Sequence, residues 1–101
     1  MNINISKLEF EERVDSTILG EVTLYFIGPK ELVADKYPEA ESATILVNFL
    51  ADEPHAFYPN IMISPTKDGE DYDWDDLYIE NYEIVKELIR IGLERTERSD
   101  G

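Results

Sequence analysis

Cysteine is absent from the 101 residues, which removes disulfides, thiolate nucleophiles and every Cys-based zinc or iron site. Histidine occurs once, at position 55 between Pro54 and Ala56. With no second His and no serine signature nearby, it reads as a surface side chain rather than a ligand or a general base. The five glycines, at 20, 28, 69, 92 and 101, are scattered, so no glycine-rich loop is available to cradle a phosphate. Basic residues are scarce: nine Lys and Arg stand against 23 Asp and Glu, a formal net charge of −14. A surface of that sign repels phosphate backbones and anionic lipid heads, so direct binding to nucleic acid or membrane is disfavoured. No segment approaches the roughly 18 consecutive apolar residues of a membrane span. The opening "MNINISKLEFEERVD" has neither a basic n-region nor a long apolar h-region, and the expected address is cytoplasmic.

What is present is enough to fold. Hydrophobic residues make up 43% of the chain and aromatics 11%, beside 32% charged residues, too apolar a mixture for a disordered acidic tail. The length suits one core, giving a single α+β domain over residues 1–97 and a frayed tail at 98–101.

Alternation of apolar and polar residues marks the strands. In "NINISKLEFEERV", Ile3 and Ile5 keep one register and Leu8, Phe10 and Val14 the other. The phase slip near Ser6 and Lys7 predicts a bulged strand or two short ones. "EVTLYFI" (21–27) and "ATILVNFL" (43–50) are β-favouring throughout, and the apolar second face of the latter suggests a central strand. Between them Gly28 turns the chain and Pro29 can open a short helix running to about Lys36, or the segment is a long loop. The prolines of "DEPHAFYPN" (52–60) make it a loop presenting Phe57 and Tyr58, and "IMIS" (61–64) is a short fourth strand. From Tyr82 onward, Val85, Leu88, Ile89, Gly92 and Leu93 share one side of a helical wheel, opposite Glu83, Lys86, Glu87, Arg90 and Glu94. Asp73 or Asn81 could cap this helix, and Asn81 suits the wheel better, after a strand "LYI". The expected architecture is an antiparallel sheet of about four strands with a C-terminal amphipathic helix packed on one face.

The densest chemistry lies at "KDGEDYDWDD" (67–76), six carboxylates and two aromatic rings in ten positions. Against the calcium loop D-x-[DN]-x-[DN]-G-x5-E, Asp71, Asp73 and Asp75 fill the first ligand positions, but Asp76 replaces the turn glycine and Tyr82 the bidentate glutamate. The match fails where it discriminates. As an extended strand, the segment would set Asp71, Asp73 and Asp75 on one side at intervals of roughly 6.6 Å, with Tyr72 and Trp74 on the other. Such a carboxylate ladder backed by aromatic anchors suits the Lys and Arg of a partner whose groove ordinarily tracks a phosphate backbone. Asp76 adds charge and Tyr78 a further anchor. In the alternative, Tyr72 and Trp74 pin the segment to the core while the acids are hydrated or cap the helix.

The order of three or more strands, an acidic segment and a closing helix, with "YFIGPK" and "DYDWDD", resembles small acidic immunity proteins that bacteria make against toxic nucleases. It also resembles small acidic phage inhibitors of nucleic-acid-binding defence proteins. The resemblance implies an inhibitor of another protein; the acidic segment itself points to a non-enzymatic binder, without cofactor or metal, that covers a basic partner protein with Asp71, Asp73, Asp75 and Asp76 for charge and Tyr72, Trp74 and Tyr78 for anchoring. A nucleic-acid mimic and a homodimeric structural or regulatory adaptor are the alternatives.

Overall fold

A computed structural model describes residues 3–54 and 58–97. Four long strands, β1 (Glu9–Ser16), β2 (Glu21–Gly28), β3 (Ser42–Leu50) and β4 (Asn60–Lys67), form an antiparallel meander. Two dipeptide strands, β5 (Glu70–Asp71) and β6 (Asp75–Asp76), both pair with β4. The helix α1 (Tyr82–Glu97) closes the chain. The fold is thus α+β, and β3, apolar on both faces, lies between β2 and β4 as its composition requires.

One side of the sheet carries the core. Register aligns Phe10, Phe26, Ile45 and Ile63 across four strands, and Leu24, Val47 and Ile61 in the next inward row. Val85, Leu88 and Ile89 of α1 are buried with them. The helix begins where Asn81 caps it: Asn81 Oδ1 accepts from the Glu83 N–H at 3.1 Å, satisfying one of the otherwise orphaned donors of the first turn. A start at Asp73 is excluded, because Asp75 and Asp76 are in the sheet.

Several expectations are corrected. The N-terminal phase slip is no bulge but a 3-10 turn, Ile5–Lys7, capped by the Asn4 side chain, which accepts from the Ser6 N–H at 3.1 Å. The bulge comes later, at Glu11, where the register shifts between Phe10 and Glu12. The extra residue reverses the alternation, so Arg13 falls in line with inward Leu24 while Val14 is left 46% exposed. After Gly28, Pro29 precedes a 3-10 turn, Lys30–Leu32, rather than opening an α-helix. "LYI" is not a strand, although the Leu77 N–H donates to Ile61 O at 2.9 Å and Leu77 and Ile79 are buried. His55, Phe57 and the 98–101 tail lie outside the described residues.

β4 does not end at Ser64 but continues through Pro65 to Lys67. A two-residue turn follows, Asp68 and Gly69, with φ of 56° and 80°. Two successive left-handed residues are the requirement of a type I′ hairpin turn, and Asp-Gly meets it.

Candidate functional site

The acidic segment re-enters the sheet from that hairpin, and its course decides what its carboxylates can do. Asp71 is opposite Thr66 and Glu70 opposite Lys67. Continued without interruption, this register would place Asp75 opposite Met62. Instead Asp75 faces Ile63 and Asp76 faces Met62, so residues 72–74 contain one more residue than the ladder takes up. The cause is Pro65. Its carbonyl accepts from the Tyr72 N–H at 3.3 Å, so the proline nitrogen, on the same side of β4, faces the edge segment with no proton to donate. The ladder breaks there, and the hydroxyl of Ser64 receives the Tyr72 and Asp73 N–H groups instead, at 3.1 and 3.3 Å.

One inserted residue flips every side chain after it. Asp71 shares the face of Thr66, whereas Asp75 shares the opposite face, that of Ile63. The expected one-sided ladder of Asp71, Asp73 and Asp75 therefore does not exist. Each of the three is engaged within the chain. Asp71 Oδ1 accepts from the hydroxyls of Thr44 and Thr66, both at 2.8 Å. Asp73 accepts from the Tyr37 hydroxyl. Asp75 pairs with Lys36 Nζ at 3.1 Å.

Tyr72, rather than Trp74, is the aromatic pin. Its ring meets Tyr37 edge to face, centroids 5.7 Å apart, and its hydroxyl donates to Glu39 Oε1 at 2.9 Å. Burial of the ring, with the Glu39 carboxylate beside it, pushes the Tyr72 phenol up to about 12. Glu39 is held below its ordinary range by a backbone hydrogen bond, with the Tyr72 hydroxyl second. Tyr37 is raised in turn, chiefly by its bond to Asp73. This network fastens the 36–39 loop to the sheet edge, which is a structural task.

The remaining predicted residues separate. Tyr78, 65% exposed, stacks on Tyr58 with centroids 5.4 Å apart. The Tyr58 hydroxyl brackets Ile79, accepting from its N–H at 2.9 Å and donating to its carbonyl at 3.2 Å. Trp74 is half-buried and is not among the side chains packed on the core. Asp76 is exposed and, among the described residues, has no side-chain hydrogen bond or ion pair. Of the seven predicted site residues, Trp74 is half-buried, Asp76 is exposed, Tyr78 joins a separate tyrosine cluster, and Asp71, Tyr72, Asp73 and Asp75, though exposed, are engaged by partners within the chain.

Sequence reasoning passed over two features. The Asp68–Gly69 dipeptide, a strong hairpin signal, would have fixed where the edge strand begins. Ile18 and Leu19, in the turn between β1 and β2, are 94% and 67% exposed. Two aliphatic residues beside Gly20 in a turn were the signal. Among the described residues no group of three or more His, Cys, Asp or Glu side chains is arranged to hold a metal ion, and no helix is long and apolar enough to cross a membrane.

No known protein family, characterised protein or solved structure matches this chain.

Proposed function

We propose that this protein is a non-enzymatic acidic binder that neutralises a basic partner protein, in the manner of an immunity protein against a nuclease-type toxin. The observation that carries this reading is a net charge of −14 on an ordered α+β framework. Lys36, Lys86 and Arg90 are drawn into ion pairs, as is Arg13, so little cationic charge offsets the field of the carboxylates. Such a field steers a basic surface toward the domain and leaves nucleic acid outside, the selectivity an inhibitor of a nucleic-acid-binding enzyme requires.

The test is co-purification from the native host at low salt, followed by assay of whatever is retained. The expected partner is a protein of strongly basic isoelectric point, released by salt, whose nucleic-acid cleavage stops at one equivalent of this domain. A gel shift of duplex DNA or RNA by the domain alone at physiological salt, or recovery of acidic partners only, would remove the electrostatic premise.

A further inference from the structure

The helix packs on one face of the sheet; on the other, Thr44 and Ser64 are buried beside the 71–73 segment, whereas the rows from Tyr25, Leu46 and Met62 toward the β1–β2 turn contain no buried side chain. Register fixes the contents of these rows. Tyr25, Leu46 and Met62 stand in one row across β2, β3 and β4, all half-buried, with Ile27 on the row above. Val14, turned outward by the Glu11 bulge, and Leu50 at 38% exposure extend the apolar ground toward the β1–β2 turn. There Ile18 projects almost entirely into solvent. Thr23 and Asn48, hydrogen-bonded at 2.9 Å, cross this ground as one polar row, so the surface is a mixed apolar and polar one of the composition found at protein contact sites.

The charges around it are of one sign. Glu9 and Glu12 are aligned with outward Ile27 and Tyr25, Glu21 follows the alternation of Thr23 and Tyr25, and Asp76 is opposite Met62. The strands carry only two cations, and both belong to the other side. Arg13 donates to Thr96 of the helix at 2.8 Å, and Lys67 follows the inward alternation of Ile61, Ile63 and Pro65. The open face is therefore a mixed apolar and polar strip edged by carboxylates without a compensating cation among its strand positions. Two copies meeting through it would bring carboxylates against carboxylates, so a second copy of this chain is a poor occupant.

We infer that the open sheet face and the Ile18–Leu19 tip together form the docking surface for a protein partner presenting an apolar patch edged by Lys and Arg. This rests on the acidic-binder function proposed above and localises it, replacing the 71–75 segment as the contact. The apolar side chains of the strip supply desolvated anchors, the carboxylate edge supplies approach and orientation. Ile18 is the natural anchor, since its side chain makes little use of its own fold.

The experiment uses a 15-residue amphipathic peptide with leucine along one face and Lys and Arg on the other, and oligolysine of equal charge, in titrations followed by amide NMR in low salt. The amphipathic peptide is expected to shift the resonances of Glu12, Tyr25, Leu46, Met62 and Asp76, and to bind at least about tenfold more tightly than oligolysine. Ile18→Ser with Leu19→Ser, or Glu12→Lys with Asp76→Lys, should weaken it about fivefold or more, whereas Glu83→Lys with Glu94→Lys on the helix should change it less than about twofold. Residue 18 is so exposed that the serine variant folds, which circular dichroism verifies. Shifts confined to the helix or to residues 72–75, or equal effects of the two charge reversals, overturn this face while leaving an acidic binder in place. Absence of binding by either basic peptide overturns both readings. A dimer in sedimentation that Ile18→Ser dissociates would replace the basic partner with a second copy.

Discussion

A methyl group at position 92 would stand 2.3 Å from Cδ1 and 2.7 Å from Cδ2 of Leu24, a side chain with no exposed surface. Leu24 is walled in and cannot swing aside, so Gly92→Ala sets a helix-propensity gain of about 1 kcal/mol against an overpacking cost of about 1 to 3 kcal/mol. The net expectation is a loss of stability, measured by urea denaturation; a more stable variant would show that helix and sheet are further apart than the contact implies. Glycine on the apolar arc of the wheel already signals this approach in the sequence, because a residue without a side chain is useful there only where backbone meets neighbour. Tyr72 carries no such signal: its partners Tyr37 and Glu39 are more than 30 positions away, and no local pattern announces them. Its phenol, raised from 10.0 to about 12, makes a pH prediction with a definite sign. The neutral form is favoured by folding, so its contribution is fully present below about pH 10 and is lost as pH climbs toward 12. Ultraviolet titration should find a late-ionising tyrosine that Tyr72→Phe removes, and the variant's stability should fall less between pH 10 and 12 than that of the natural chain.

Elements were legible in proportion to how far their pattern is carried by neighbours in sequence. α1 is the clearest case, with its arc of Val85, Leu88 and Ile89 buried and its Asn81 cap formed. Leu88→Ala should cost about 2 to 5 kcal/mol through the cavity it leaves, while Glu87→Ala, on the solvent side and paired among the described residues with Arg90 alone, should scarcely move the denaturation midpoint. Similar losses would mean that the helix is rotated from this position. The two bulges were far less legible. At Glu11 the alternation of Leu8, Phe10 and Val14 runs on in the sequence as if unbroken, and only pairing with β2 reveals the extra residue. At residues 72–74 the break originates in Pro65 on the neighbouring strand, so inspection of "DYDWD" alone could only yield an unbroken ladder. The one-sided ladder fails for that reason: the acids are concentrated where the sequence places them, but the face each one occupies depends on a missing proton elsewhere.

For the molecule as a whole, the consequence is that its carboxylates fall into two populations. Asp71, Asp73 and Asp75 bind hydroxyl or ammonium groups of their own chain, whereas the outward-facing Glu9, Glu12 and Glu21 have no side-chain hydrogen bond or ion pair among the described residues. With a net charge of −14, the compact state raises the mutual repulsion of the second population, and added salt should screen it. Two triple variants that remove the same charge should therefore move stability in opposite directions. Asp71→Asn with Asp73→Asn and Asp75→Asn weakens charge-assisted bonds that fasten the sheet edge, and should lower Tm in low salt. Glu9→Gln with Glu12→Gln and Glu21→Gln relieves repulsion without breaking a bond, and should raise it, by an amount that shrinks as salt is added. Thermal melts of the three proteins across an ionic-strength series decide the matter. If both variants gained stability alike, the intramolecular partners of Asp71, Asp73 and Asp75 would contribute nothing, and those carboxylates would again be free to face a partner.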